Sequence, residues 1–191
     1  MRLKWKLLLL ASAAIILGLL IIMFGQNKHE GRKNMPDGNG STTTRLQLIS
    51  PVFREGAPVP VQYTCKGQNV NPPLNIMKVP AGAQSLALIM HDPDAPSGDY
   101  IHWTMWDIPT GTETIAANSV PTGAVQGQNS SGQNKYMGPC PPSGTHRYMF
   151  ELYALDTSLN LPSATTSDKL KDAMKGHVIE EHTLTGTFSP S

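Results

Sequence analysis

The sequence lacks a concentration of positive charge in the part of the chain that is expected to fold. Only 15% of its 191 residues are charged and 39% are hydrophobic, which is typical of a globular protein with one core. Six of the 15 basic residues, but only one of the 14 acidic residues, lie in the first 33 positions, which leaves a net charge of −4 for the remainder. A nucleic-acid-binding protein normally shows a basic stripe on its folded part, so we exclude this class.

The sequence also lacks the short motifs of standard hydrolases and zinc sites. There is no Gly-x-Ser-x-Gly elbow, and Ser143 lies in a Pro-Pro-Ser-Gly segment that is typical of a turn. None of the usual zinc spacings occurs, so we predict neither an enzyme nor a cofactor. Two hypotheses stay open: a hydrolase in which Ser143 approaches His146, and a metal site. The ligands of such a metal site would be His91, Asp92, His102 and His146.

One long hydrophobic run is present near the start of the sequence. Three basic residues precede an uncharged stretch from Leu7 to Asn27, and about twenty apolar residues are what a helix needs to cross a bilayer. Bulky residues, Ile21 to Phe24, stand where a signal-peptide cleavage site would need small ones. We therefore predict a single-pass anchor over residues 1–27, a flexible linker over 28–44 and an extracytoplasmic domain over 45–191. Cleavage that yields a soluble secreted product is the alternative.

Apolar runs bounded by proline, glycine and aspartate dominate the remainder of the chain. Such runs, joined by long loops instead of helices, predict a mainly β fold, a sandwich of two sheets. The predicted strands are Ser85 to His91, Tyr100 to Ile108, Arg147 to Leu155 and His182 to Phe188.

Only one helix is well supported by the pattern. Thr166 or Ser167 can cap its start, and Asp168 follows in the first turn. We expect one face of this helix to pack on the sandwich. That face comprises Leu170, Ala173, Met174 and His177.

Two dense motifs place ionisable side chains beside stiff proline and glycine backbone. The first is HDPDAP at residues 91–96, and the second is GPCPPSGTHRY at residues 138–148. Alternation along a strand puts His146 and Tyr148 on the same face, and His102 begins the strand between the two motifs. These side chains at strand ends predict a shared polar pocket. A structural interaction protein, with the pocket filled by Tyr148 or Trp103, is a third hypothesis.

The motifs resemble the paired signature of the phosphatidylethanolamine-binding protein family. The likeness lies in DPDAP after an apolar strand, His-Trp at the next strand and GPCPPSGTHRY before a third, and it runs from about Arg45 to Phe188. It is strongest to the bacterial and archaeal branch, described as Raf-kinase-inhibitor-like. The resemblance implies a Greek-key β-sandwich with a few short peripheral helices, and a pocket for phosphate-like anions or phospholipid head groups. It also implies a protein partner, a kinase or a protease.

The resemblance also assigns roles to particular residues. His102 and His146 would donate hydrogen bonds to the anion with help from backbone N–H near Gly138, and Asp92 would orient or ionise a histidine. Arg147 would brace the loop that contains the two aspartates. The implied ligand-binding set is Asp92, Asp94, His102, Gly138, Pro139, His146 and Tyr148.

Cys65 and Cys140 are the only cysteines in the sequence. In an exported domain a single pair is expected to be oxidised, so we predict a disulfide between them. Two free thiols would follow if the domain lies in a reducing compartment.

Overall fold

The computed structural model describes residues 45–190. The predicted anchor and linker, residues 1–44, lie outside this range. Within 45–190 no helix has the length and apolar character needed to cross a membrane. Eight strands and one α-helix are present in the described range: β1 (Gln47–Ile49), β2 (Leu74–Met77), β3 (Ser85–Asp92), β4 (Tyr100–Ile108), β5 (Thr114–Ile115), β6 (Val125–Gln126), β7 (His146–Leu155), α1 (Ser167–Met174) and β8 (Val178–Phe188).

The strands form two antiparallel sheets, so the prediction of a mainly β fold with few helices is confirmed. The smaller sheet has the order β1-β2-β5, and the larger one has the order β6-β4-β3-β7-β8. The four long predicted strands correspond to β3, β4, β7 and β8. The strands β2, β5 and β6 were not predicted, because runs of two to four residues are too short to show an alternation.

The two sheets share one hydrophobic core. Strand β3 is buried along its whole length, and alternation sends Leu86, Leu88 and Met90 into this core. The residues between them, Ala87 and Ile89, point to the opposite face of the larger sheet. There they meet α1, which covers that face.

Helix α1 packs on the larger sheet as predicted. Leu170 and Met174 are both buried against this second cluster, whereas Thr166 stands at the N-cap position without a side-chain capping bond. The prediction for His177 was wrong, because the helix ends at Met174. His177 is instead exposed and hydrogen-bonds through Nδ1 to Asp156 at 2.8 Å.

Candidate functional site

The motifs meet at one end of the larger sheet, around a cavity of about 280 Å³. Strand β3 ends there at Asp92, β4 begins there at Tyr100 and β7 begins there at His146. Of the predicted ligand-binding set, four residues line the cavity and three do not. The lining residues are Asp92, Ala95, Pro96, Ser97, Tyr100, His102, Met137, Cys140, Pro141, Pro142, His146 and Tyr148.

His146 is held by a buried carboxylate. Its Nδ1 atom lies 2.7 Å from Oδ2 of Asp92, and both side chains are at least nine-tenths buried. Since a carboxylate accepts hydrogen bonds, Nδ1 carries the proton and donates it. The remaining polar atom of the ring is Nε2, which is an acceptor when the ring is neutral and a donor when it is protonated. Asp92 thus orients His146, the role that the resemblance assigns to it.

His102 reaches the cavity because of an irregularity in β4. Met90 pairs with Trp103 but His91 pairs with Ile101, so His102 is an additional residue opposite β3. A bulge of this kind redirects side chains, and here it lets His102 line the cavity. Its Nδ1 donates to the carbonyl oxygen of Met137 at 2.8 Å. Burial lowers the pKa of His102 below its ordinary value of 6.5, against the opposing effect of this hydrogen bond.

Tyr148 brings a buried hydroxyl to the same cavity. Its ring meets that of His102 edge to face, with centroids 5.2 Å apart, and the Tyr100 ring also contacts His102, with centroids 5.1 Å apart. Among the described residues the Tyr148 hydroxyl has no hydrogen-bond partner. Burial, together with the nearby charge of Asp92, raises the pKa of Tyr148, so the hydroxyl keeps its proton.

Asp94 lies outside the lining and pairs with Arg147. The guanidinium donates through Nε at 2.9 Å and Nη2 at 2.7 Å to the two carboxylate oxygens, and the Arg147 amide donates as well. These hydrogen bonds lower the pKa of Asp94 to about 2. Arg147 therefore braces the loop after β3, as the resemblance implies, and Asp94 serves this brace instead of the cavity.

Gly138 and Pro139 have structural roles beside the cavity. The Gly138 N–H donates to Oδ1 of Asn69 at 2.7 Å, so the expected backbone donor to an anion at this position is already used. A Cβ at Gly138 would lie 2.5 Å from the carbonyl oxygen of Tyr63, which explains the glycine. The carbonyl of Pro139 accepts the N–H of Cys65.

The two cysteines are joined by the predicted disulfide. Their Cα atoms are 5.5 Å apart, and the bond links positions 75 residues apart in the sequence. Cys140 is one of the lining residues, so the bond ties the cavity wall to the turn that contains Cys65.

A comparison with known families decides the identity of the domain. The family described as phosphatidylethanolamine-binding protein matches residues 49–189, which is most of the chain and nearly all of its described part. The chain belongs to the phosphatidylethanolamine-binding protein family.

Relatives of this family member occur in bacteria and archaea. A UPF0098 protein of Chlamydia pneumoniae is 47% identical over 151 residues, which cover 76% of this chain and 100% of the relative. A UPF0098 protein of Methanothermobacter thermautotrophicus is 47% identical, with 75% and 98% covered. The predicted lipoprotein LppC of Mycobacterium tuberculosis is 44% identical over 145 residues, with 75% and 72% covered.

Solved structures of the family superimpose on this chain. The phosphatidylethanolamine-binding protein homologue CT736 of Chlamydia trachomatis has a TM-score of 0.75 at 38% identity, covering 78% of this chain and 99% of the other. YbcL of E. coli, described as a member of the mammalian family, has a TM-score of 0.73 at 28% identity, with 77% and 99% covered.

His91 takes no part in the cavity of this family member, although the hypothesis of a metal site includes it. Its side chain lies on the opposite face of the sheet, with Nδ1 2.5 Å from Asp99 and Nε2 3.3 Å from Glu151. Burial opposes the charge of His91, but the hydrogen bonds to Glu151 and Asp99 outweigh it and raise the pKa. Within residues 45–190 no three histidine, cysteine, aspartate or glutamate side chains converge as metal ligands.

The hydrolase and filled-pocket hypotheses each require a particular side chain in the cavity. Ser143 is exposed and is not a lining residue. Trp103 is fully buried and donates to Gln126 at 2.6 Å, away from the lining. Tyr148 lines the cavity without filling it.

Several lining residues were missed by the sequence analysis. Pro96, Pro141 and Pro142 lie inside the two motifs, so motif membership was the available signal. Tyr100 precedes His102 by two positions in the same strand. Met137 is positioned by tertiary contacts, since its amide and carbonyl both bond to His102, and no sequence pattern marks it.

Proposed function

We propose that this chain binds a phosphate-bearing anion, such as a phospholipid head group, in the cavity formed by His102, His146 and Tyr148. The observation that carries the proposal is the arrangement of the two imidazoles. Each has Nδ1 committed to a protein acceptor, at 2.8 Å for His102 and 2.7 Å for His146, and each ring lines the cavity. On protonation both rings offer a second N–H, which forms a charge-assisted hydrogen bond to a phosphate oxygen.

Tyr148 and the small volume support the same ligand class. A buried hydroxyl without a partner in the described part of the chain is costly unless a ligand accepts its hydrogen bond. The volume of about 280 Å³ suits a phosphate group with a short substituent, while the acyl chains of a lipid would remain outside.

Binding is favoured over hydrolysis because of what surrounds His146. The Asp92–His146 pair resembles the orienting half of a catalytic triad, but a triad also needs a nucleophile in contact with the histidine. The candidate, Ser143, is exposed and outside the lining.

The proposal includes attachment to the outer side of a membrane. The apolar run from Leu7 to Phe24 supports an anchor, and the disulfide between Cys65 and Cys140 supports an oxidising compartment. A lipid modification, which the name of the mycobacterial relative describes for that protein, is another way to attach an exported domain.

Native mass spectrometry of the purified full-length chain tests the proposal. We expect wild type to retain, or to take up from added inorganic phosphate, one anion per chain. His146→Ala should lose it, and His177→Ala, which changes an exposed histidine outside the cavity, should keep it. A wild-type chain that takes up no phosphate would reject the proposal.

A further inference from the structure

Cys140 stands at the start of one wall of the cavity. It lines the cavity together with the next two residues, Pro141 and Pro142, and its disulfide partner Cys65 does not. Cys65 follows the short 3₁₀ turn Val61–Tyr63. The bond therefore connects a ligand-facing wall to a turn that has no other part in the site.

The segment before Cys140 is held by several hydrogen bonds. Met137 exchanges two of them with His102, Gly138 donates to Asn69, and Pro139 accepts from Cys65. These bonds fix the approach to the cavity independently of the disulfide.

The segment after Cys140 has far fewer restraints. Pro141 is buried, but residues 142–145 are exposed, and residues 141–145 make no hydrogen bond with any described residue. Two of the five are prolines, which have no N–H to donate. Beyond Pro141 the segment is fixed again where β7 begins at His146. The disulfide at Cys140 is therefore the covalent restraint next to the segment 141–145.

Neither residue of the disulfide is buried. Cys140 is exposed and Cys65 is partly exposed. Exposed disulfides are the ones that exchange readily with thiols, whereas buried structural ones resist reduction.

We propose that the Cys65–Cys140 disulfide is a thiol-exchange site that regulates the anion pocket, closing its Pro141–Pro142 wall when oxidised and releasing it when reduced. This inference rests on the proposed function. The natural co-reactant is a dithiol, either a small molecule or a protein with two neighbouring cysteines. In the reduced chain the wall samples open arrangements, and affinity for the anion falls in proportion to the remaining closed fraction.

The exchange follows ordinary thiol chemistry. A thiolate of the dithiol attacks Sγ of the more exposed Cys140, the disulfide bond breaks, and Cys65 leaves as a thiolate that takes up a proton. The second thiol of the reagent then attacks the mixed disulfide and releases Cys140. The dithiol ends as a disulfide, and both cysteines end as thiols.

The test is calorimetric titration of the full-length chain with inorganic phosphate, before and after treatment with dithiothreitol. The oxidised arm tests the proposed function by itself. If it shows binding, we expect reduction to weaken the affinity by about tenfold or more. A tenfold loss corresponds to a wall that is closed in about one tenth of the reduced molecules. The double variant Cys65→Ser/Cys140→Ser should bind like reduced wild type and should not respond to the dithiol.

Two further measurements separate local release from unfolding. Far-ultraviolet circular dichroism should show that the reduced chain keeps its strands at the assay temperature. Hydrogen exchange at the Cys65 amide, which donates to Pro139, and at the buried amides of β3 should stay unchanged on reduction. Equal phosphate affinity in both redox states, or global unfolding on reduction, would overturn the inference.

Discussion

The two oxygens of the Asp92 carboxylate hold two different parts of the site. Oδ2 accepts from Nδ1 of His146 at 2.7 Å, and Oδ1 accepts from the backbone N–H of Asp94 at 2.9 Å. One buried side chain thus fixes both a ring on β7 and the loop that leaves β3.

Asp92→Asn should weaken binding of phosphate at mildly acidic pH. Asparagine keeps the shape but replaces the charged hydrogen-bond acceptor of His146 with a neutral one, so the loss should be about 1.5 to 3 kcal/mol, the size of a hydrogen bond to a charged group. The matched control is Asp156→Asn, because Asp156 makes the same contact to His177 at an exposed position. Titration calorimetry at pH 5.5 measures the phosphate affinity of both variants. Equal affinities of Asp92→Asn and Asp156→Asn would contradict the assigned role of Asp92.

The Asp94–Arg147 pair should stabilise the domain in a defined pH range. Its hydrogen bonds lower the pKa of Asp94 from 3.8 to about 2, so the folded state favours the charged carboxylate. This contribution is complete above the unfolded value and disappears as pH falls through the folded one. The difference in melting temperature between wild type and Arg147→Gln should therefore be constant above pH 5 and shrink toward pH 2. A difference that grows on acidification would rule out this pairing.

Reduction of the disulfide should lower the free energy of unfolding by about 4 kcal/mol. The estimate follows from the chain entropy released when a loop of 75 residues is no longer closed. Urea denaturation with and without dithiothreitol measures it. Labelling of the denatured, unreduced chain with a thiol reagent should find no free cysteine, and labelling of both would disprove the pairing.

The domain should be accessible from outside an intact cell. If residues 1–27 form the anchor, external protease should digest the folded domain and leave a small membrane-bound fragment. The control is a cytoplasmic protein of the same cells, which should survive until lysis. Full protection of the domain before lysis would refute the predicted topology.

The sequence predicts the long strands well because buried strands consist mainly of apolar residues. Strands β3 and β4 appear as apolar runs, and alternation along β7 correctly put His146 and Tyr148 on one face. Apolar runs and alternation depend only on residues that are close in sequence, so they can be recognised without knowledge of the fold.

Features that depend on contacts distant in sequence were not predicted. The bulge at His102 arises from its register with β3, and the role of Gly138 arises from the close approach of Tyr63. His177 was placed on the helix face because helical periodicity continues past the point where α1 ends. The resemblance to a known family located the pocket, but only the structure separates Asp94 and Gly138 from the residues that line it.

We expect an anion in this cavity to bind to protonated imidazole. Burial lowers the pKa of His102, so this ring is neutral at pH 8, and its protonated fraction grows as pH falls. Because the anion favours the protonated form, affinity should rise on acidification, by roughly tenfold or more for one charge-assisted hydrogen bond.

The most direct measurement is calorimetric titration of wild type with phosphate and with sulfate at pH 5.5 and pH 8. Sulfate is included because phosphate itself changes charge between these two pH values, and that change would otherwise be confused with titration of the protein. We expect both anions to bind more tightly at pH 5.5, and His102→Gln to reduce this difference while keeping a donor toward Met137. Failure of either anion to bind wild type at both pH values, or tighter binding of sulfate at pH 8, would contradict the account.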